Sequence, residues 1–384
     1  MWQVRGGDPI EQQRFLDLLA QSHSYGTTLR SWYGGKLIGE VTIQEGSPVE
    51  SGSVRVTGLN RERRGLTLNA AEALYPMNQG DMFSPYGNWL TVVGTIASGL
   101  LVYDEIPIFA GKVMRPSRTK NSGSMTVTAV DPMWQVNREP FEAIRRVPAG
   151  ASIPDTIAGL IVEVFPAAVV YDRTNSETVL DEAAAWDAQE GSRGAAIDQL
   201  AAAIGAEVFA LPTRAWPGGE FVIRPVPAFG NPIAWTLPTG AGAVIDNDDE
   251  EQTGENIVNR WMVLVERADQ PPLYVPVTDD VPSSPTRYGG PIGHLTDFMS
   301  SPFIRDAGQA MIAGQARLAR SVGAARSRRL RMVANPAMDA GDILGVPGED
   351  GATEYHIADE FELPLTPDPP TMEAATRSTT GGNP

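Results

Sequence analysis

Apolar and polar residues alternate along most of residues 25–148, in short segments separated by Gly, Asn or Pro. Alternation with a period of two places apolar side chains on one face of a strand, so this pattern predicts a β-rich region. The segments "GSVRVTGL" (52–59) and "GLTLNAA" (65–71) alternate on both sides of "NRERR", which predicts a hairpin. Gly65 suits the positive φ that a tight turn requires.

The hairpin connection carries Arg61, Arg63 and Arg64. The simplest interpretation is a charged, solvated hairpin end. A second interpretation is a cluster that pairs with acidic groups on another subunit, because arginine is favoured at interfaces. A phosphate site is a third interpretation, and the pattern alone leaves all three open.

Helical signals stand at the start and in the middle of the chain. Asp8 can cap a helix in residues 1–24, with Pro9 at its first position. Ser152 and Ser192 can cap two more helices, and the second is followed by the alternating segments "AEVFAL" and "EFVIRPV". Two helices and a hairpin predict a compact α+β domain over residues 149–228.

Residues 229–365 return to strand patterns, interrupted by one helix predicted over 301–323 with Ser301 as its cap. We expect this helix to pack on its own β-region and to leave Arg317 and Arg320 for solvent or a neighbouring subunit. Its expected packing face consists of Phe303, Ala307, Met311 and Leu318.

Composition and charge narrow the function. The 384 residues include 30 basic and 47 acidic side chains, for a net charge of −17, which argues against stable binding of duplex DNA. Cysteine is absent, and no apolar run is long enough to predict a membrane span or a signal peptide. Residues 366–384 offer little apolar surface, so we expect a disordered tail.

The charges are also unevenly distributed. Residues 245–297 carry eleven acids against three arginines, whereas residues 303–331 carry seven arginines against one acid. Such polarity is typical either of docking between subunits or of a solvated face.

No catalytic, cofactor-binding or metal-binding residue is predicted. The histidines His23, His294 and His356 lie outside any zinc-hydrolase motif, and neither a P-loop nor a G-x-S-x-G motif occurs. In "DNDDEEQTGE" (246–255) the EF-hand spacing fails, since Glu251 stands where glycine is required. A solvated acidic loop is predicted there, and an adventitious cation remains the alternative.

An enzyme is therefore not expected. A tail-borne, glycoside-degrading enzyme stays open as the alternative, because two carboxylates suffice for that chemistry. The sequence singles out no carboxylate pair, and an aromatic content of 7% is low for a carbohydrate cleft.

Several short motifs, in the same order, resemble the tail proteins of phages that infect actinobacteria. In the first region they are Ser22-His23, Gly52-Ser53-Val54, Arg63-Arg64-Gly65-Leu66, Pro85-Tyr86-Gly87, Pro107 and Phe109. The middle segment "AAIDQLAAAIGAEVFAL" and the later segments "ENIVNRWMVLVE" and "ANPAMDAGDILGV" also resemble that family. The family is the tail hub, related to baseplate hubs and late control D proteins.

This resemblance implies a mainly β fold with an α+β insert, in which residues 25–148 and 229–365 each form a tube-like β-barrel. It implies a homotrimer that joins the sixfold tail tube or distal tail ring to the threefold tip, and that forms part of the DNA ejection conduit. The implied partners are a distal tail or tube protein, a tape measure protein and a tip or spike protein. DNA would pass only transiently, and no stable membrane binding or cofactor is implied.

The implied location is the tail tip of the virion, after synthesis in the cytoplasm of the bacterial host. Residues at the subunit interface of such a trimer would include the arginines singled out above: Arg61, Arg63, Arg64, Arg317 and Arg320.

Overall fold

The structure of the protein, a computed structural model, describes residues 8–58, 60–187, 192–216, 219–255, 257–266, 271–282, 284–322, 326–348, 351–366 and 371–378. Within these ranges β-strands predominate over helices. The mainly β class predicted from the alternating pattern is confirmed.

The helices are α1 (Pro9–Leu19), α2 (Met133–Arg138), α3 (Ile153–Val162), α4 (Arg193–Ala203) and α5 (Ala307–Ser321). Among the described residues, none of these helices has the length and apolar character needed to cross a bilayer.

The strands of the first region are β1 (Ser24–Tyr33), β2 (Lys36–Ile43), β3 (Val49–Thr57), β4 (Arg64–Ala71), β5 (Trp89–Ser98), β6 (Leu101–Arg118) and β7 (Ser124–Val130). The strands of the middle region are β8 (Arg145–Val147), β9 (Val169–Asp172), β10 (Ala184–Trp186), β11 (Ala206–Leu211) and β12 (Glu220–Pro225). The strands of the last region are β13 (Trp235–Thr236), β14 (Ile245–Gln252), β15 (Arg260–Val265), β16 (Leu273–Thr278), β17 (Thr296–Ser300), β18 (Arg326–Val333), β19 (Ile343–Pro347), β20 (Thr353–Pro364) and β21 (Thr371–Ser378).

One continuous sheet joins the first and last regions of the chain. Its strand order is β14-β18-β21-β20-β3-β4-β7-β6-β5-β1-β2, and β19 connects β13 to β20. The junction between the two regions is the antiparallel pair β3–β20, in which Val56 lies opposite Phe361. The predicted hairpin over "NRERR" is present as the antiparallel pair β3–β4.

The first hydrophobic core lies on one face of this sheet. Leu66 and Leu68 of β4 are buried, whereas Thr67 and Asn69 between and after them are exposed. Helix α1 covers part of the core, where Phe15 meets the Tyr103 ring edge-on at 5.3 Å. The alternating pattern therefore separates an apolar face from a polar one.

The second core contains a middle unit, which we define as α3, α4 and the sheet β11-β12-β9. The side chains of Ser152 and Ser192 cap α3 and α4 by accepting hydrogen bonds from the backbone N–H groups of Asp155 and Ala195. These two caps, and the antiparallel hairpin of β11 and β12, are the ones that the sequence predicts.

The last region contributes to both cores. The sheet β16-β15-β17 and helix α5 pack in the second core, whereas β13, β14 and β18–β21 belong to the continuous sheet. At Gly314 in α5, a Cβ atom would lie 2.4 Å from the Cγ2 of Val277, so only glycine permits this close approach.

The helix predicted over 301–323 is shorter than expected. It begins after Asp306, whose side chain accepts a hydrogen bond from the backbone of Gln309 at 2.8 Å, and not at Ser301. Its buried face consists of Ala310, Ala313 and Gly314, not the stripe of larger residues. Small residues occupy the buried face because they let the helix lie close to β15 and β16.

The prediction of a disordered tail over 366–384 is wrong for residues 371–378. They form β21, which lies between β18 and β20 in the continuous sheet. Met372 and Ala374 are buried there. The segment has little apolar surface of its own, but two neighbouring strands satisfy its backbone and cover its small side chains.

A chain that ends at Leu365 is therefore expected to lose its cooperative fold, because β18 and β20 would lose their shared neighbour. A chain that ends at Ser378 keeps every described strand and serves as the control. Thermal unfolding followed by circular dichroism measures both, and an unchanged melting transition in the shorter chain would contradict the role assigned to β21.

Candidate functional site

Arg63 lies at the end of the β3–β4 turn and contacts the middle unit. Its guanidinium is 2.6 Å from the carboxylate of Glu207 and 3.4 Å from the ring centroid of Phe209. It also donates a hydrogen bond to the carbonyl oxygen of Ala340 at 3.0 Å. With 2% of its surface exposed, Arg63 joins β4, β11 and the turn before β19 inside one chain.

Two more arginines complete this contact. Arg64 lies 2.6 Å from Asp339, and Arg224 on β12 lies 2.7 Å from Glu207. We call this set of five charged side chains the arginine junction; its members are Arg63, Arg64, Arg224, Glu207 and Asp339. Charge-assisted hydrogen bonds of this kind are strong and directional, so they set the orientation of the middle unit against the continuous sheet.

The pKa values of two buried carboxyl groups at or near the junction, Asp339 and Asp131, are shifted in opposite directions. Burial alone would raise the pKa of Asp339, but Arg64, Arg63 and Arg224 hold this pKa well below its usual range. Burial raises the pKa of Asp131 to about 7, although its carboxylate accepts a backbone hydrogen bond from Arg64 at 2.9 Å. The buried carboxylate of Asp339 is therefore ionised at pH 7, whereas the pKa of buried Asp131 lies close to pH 7.

The prediction that all of "NRERR" is a solvated hairpin end is wrong for Arg63 and Arg64. Both are buried within the chain, so neither is available to a second subunit as expected. The cause is long-range: their charges are compensated by Glu207 and Asp339, which the sequence places far from the hairpin.

The other three predicted interface arginines lie together. Arg61, Arg317 and Arg320 line a cleft of about 340 Å³ between the β3–β4 turn, the end of α4 and the last turns of α5. Arg61 lies 3.1 Å from Asp198, and Arg320 lies 3.6 Å from Glu207. We call this feature the arginine cleft, defined by these three arginines with Asp198 and Glu207.

The continuous sheet also presents a polar face opposite its core. Along β14, β18, β21, β20, β3, β4, β7 and β6 the residues on this face are paired side by side across the strands. Its exposed members are Asp249, Glu251, Arg329, Arg331, Glu373, Glu362, Arg55, Thr67, Asn69, Thr126, Arg115 and Ser117. At about 4.8 Å between strands, eight strands give a surface roughly 34 Å wide.

The acidic segment 246–255 is not the loop that the sequence predicts. Residues up to Gln252 form β14, which pairs with the arginine-rich strand β18. Arg326 bonds to Glu250, which lowers the pKa of Glu250 to about 2. The opposing arginines make a strand possible, because they offset the repulsion between neighbouring carboxylates.

His356 lies beneath this edge and is fully buried. Its Nδ1 is 2.9 Å from the Thr376 hydroxyl, and its Nε2 is 3.4 Å from the carboxylate of Glu354. Burial lowers the pKa of His356 to about 4. The charge of Arg328 also lowers this pKa, whereas Glu354 raises it. His356 is therefore a neutral structural residue of the sheet at pH 7.

The remaining histidines also have structural contacts. The ring of His294 stacks on Tyr288 at 4.3 Å, and Nδ1 of His23 lies 2.8 Å from the backbone oxygen of Gln21. Within the described ranges, no three His, Asp or Glu side chains are grouped in a way that could hold a metal ion.

Replacing Glu207 by Gln is expected to lower the free energy of unfolding by about 3–5 kcal/mol, because it leaves buried guanidinium groups without their counter-charge. The control is Glu182→Gln, which removes an ion pair with Arg305 at 2.9 Å whose carboxylate is 65% exposed. We expect that change to cost less than about 1 kcal/mol. Urea denaturation measures both, and equal effects would show that the junction is not a principal contact.

Stability is expected to fall by about 3 kcal/mol as the pH falls from about 6.5 to about 4, because the unfolded chain binds a proton at His356 that the folded chain excludes. His356→Gln should remove this part of the pH dependence, whereas His294→Gln should retain it. Unfolding free energies measured at several pH values test this, and an identical pH slope in all three proteins would contradict it.

Comparison with known proteins finds relatives by structure alone. No family model matches the sequence, and no curated protein matches it. A tail protein from Neisseria meningitidis matches with a TM-score of 0.62 at 13% identity, covering 93% of this chain and 97% of its own. The 43 kDa tail protein of prophage MuSo2 from Shewanella oneidensis matches with a TM-score of 0.57 at 11% identity, covering 92% and 98%.

A third similar structure is a chain of the PdpA–VgrG complex from Francisella, with a TM-score of 0.56 at 9% identity. It covers 95% of this chain and 54% of its own. The two tail proteins match over more than nine-tenths of both chains, and the third match covers part of a longer chain. The chain therefore has the fold of phage tail proteins.

Proposed function

We propose that this protein is a structural component of a phage tail, a trimeric hub that joins the sixfold tail tube or distal tail ring to the threefold tip. The proposal is supported above all by the likeness in fold to two phage tail proteins over more than nine-tenths of the chain. The sequence motifs quoted for the tail-hub family support the same assignment independently.

The arrangement of strands supports a threefold hub. One chain supplies two sets of strands, β1–β7 and the group β13, β14 and β18–β21, joined through the pair β3–β20. Three copies then bring six sets of strands to one ring. Such a ring can meet a sixfold tube on one side and a threefold tip on the other, with closed symmetry.

The polar face supports a role in the DNA conduit. Over β21, β20, β3, β4, β7 and β6 its exposed residues include two arginines and two carboxylates, and no large apolar side chain. Arg55 is held by Glu360 at 2.6 Å. A surface without an excess of cations does not displace counterions from DNA, so a duplex can pass along it without being retained.

The proposed partners are a distal tail or tube protein, a tape measure protein and a tip or spike protein, in the tail of the virion. The Francisella chain of similar fold belongs to a complex of two proteins, PdpA and VgrG, which supports a place in a multiprotein assembly. In this role the chain acts by shape and symmetry, and synthesis takes place in the host cytoplasm.

The trimer and its conduit can be tested together because the chain lacks cysteine. Native mass spectrometry should detect three chains of 41.2 kDa each. We expect Thr67→Cys or Thr126→Cys, on the polar face, to react with a small maleimide but to resist one coupled to a bulky protein once the ring has formed.

The matched control is Glu142→Cys, an exposed position in the middle region, which should react with both reagents. A dimer or tetramer would contradict the hub, and so would a monomer at every concentration. Equal labelling of all three positions by the bulky reagent within a trimer would contradict the placement of the polar face in the conduit.

A further inference from the structure

The arginine cleft has more positive than negative charge, in a protein whose net charge is −17. Four arginines and two carboxylates line it, because buried Arg63 reaches it beside Arg61, Arg317 and Arg320. Its walls also include the short side chains of Ala202 and Ala316. The cleft is therefore open to an acidic group from outside.

The carboxylates inside the cleft are already engaged. Glu207 forms ion pairs with Arg63 at 2.6 Å, Arg224 at 2.7 Å and Arg320 at 3.6 Å. The ion pair with Arg320 is the longest of the three. Within the ranges that the structure describes, Arg317 forms no ion pair with a carboxylate within 4 Å, although its charge acts on nearby Asp198, and it lies 5.9 Å from the ring of Trp261. Burial lowers the pKa of Arg320, and Arg317 nearby lowers it further.

Exposed carboxylates without arginine partners lie on β14, at the end of the continuous sheet. Asp249 and Glu251 lie on its exposed face, and neither has an ion pair with an arginine among the described residues. Asp249 accepts one hydrogen bond, from Asn247 at 3.0 Å. As an end strand, β14 is paired on one side only, by β18.

We propose that the arginine cleft of one copy binds Asp249 and Glu251 of a second copy within the oligomer. The spacing fits, because alternate residues on a strand are about 6.7 Å apart and residues three apart on a helix, such as Arg317 and Arg320, are about 5–6 Å apart. This inference rests on the proposed trimer and identifies one contact that holds it together.

A DNA phosphate backbone is the less suitable occupant. The cleft holds about 340 Å³ between α4, α5 and a turn, which admits one or two carboxylate side chains. Sequence-independent DNA binding instead uses several cations along an extended surface.

The test is a charge exchange measured as self-association by sedimentation equilibrium. Arg317→Glu with Arg320→Glu should weaken self-association about tenfold or more, and so should Asp249→Arg with Glu251→Arg, because each places like charges opposite each other. A chain with all four changes should regain most of the lost affinity. The control is Arg138→Glu with Arg146→Glu, two exposed arginines outside the cleft, which should leave self-association unchanged.

Arg317→Glu alone guards against misfolding, since Arg317 forms no described ion pair within 4 Å, and it should weaken association while keeping the thermal transition of the wild type. A wild-type trimer that neither exchange weakens would overturn this contact and leave the hub standing. A monomeric wild type would overturn both. Tight, salt-sensitive binding of duplex DNA that Arg317→Glu with Arg320→Glu abolishes would assign the cleft to nucleic acid instead.

Discussion

The pairing of buried guanidinium and carboxylate groups in the arginine junction is the constraint on which the rest of the structure depends. Arg63 and Glu207 are both nearly excluded from water, and desolvating two such charges is costly unless their geometry is good. The observed placement of the middle unit against the continuous sheet satisfies Arg63, Arg64 and Arg224 together. The junction thus specifies how the two cores meet.

The continuous sheet imposes a second constraint, because its closing strand comes last in the chain. β21 lies between β18 and β20, and β20 in turn lies beside β3. Strands of the first and last regions therefore share one sheet.

The same sheet explains how one surface can be polar across eight strands. Strict alternation sends Leu66 and Leu68 to the core and Thr67 and Asn69 outward, and the neighbouring strand β7 pairs with β4 without a register shift. At its end the acidic strand β14 carries charge where unpaired backbone would otherwise invite aggregation. Identical acidic edges repel one another, so an acidic edge favours a cationic surface as its contact.

By itself, the sequence determined the mainly β class, the β3–β4 and β11–β12 hairpins and the capped helices, since these depend on alternation and on caps within a few residues. Only the tertiary structure decided that β21 belongs to the sheet, that α5 lies in the second core and that Arg63 and Arg64 are buried. Each of these outcomes depends on partners distant in sequence: β18 for Ala374, β15 and β16 for α5, and Glu207 for Arg63. The local sequence shows whether a side chain is polar. Whether that side chain is buried depends on the counter-charge or the neighbouring strand that the tertiary structure places beside it.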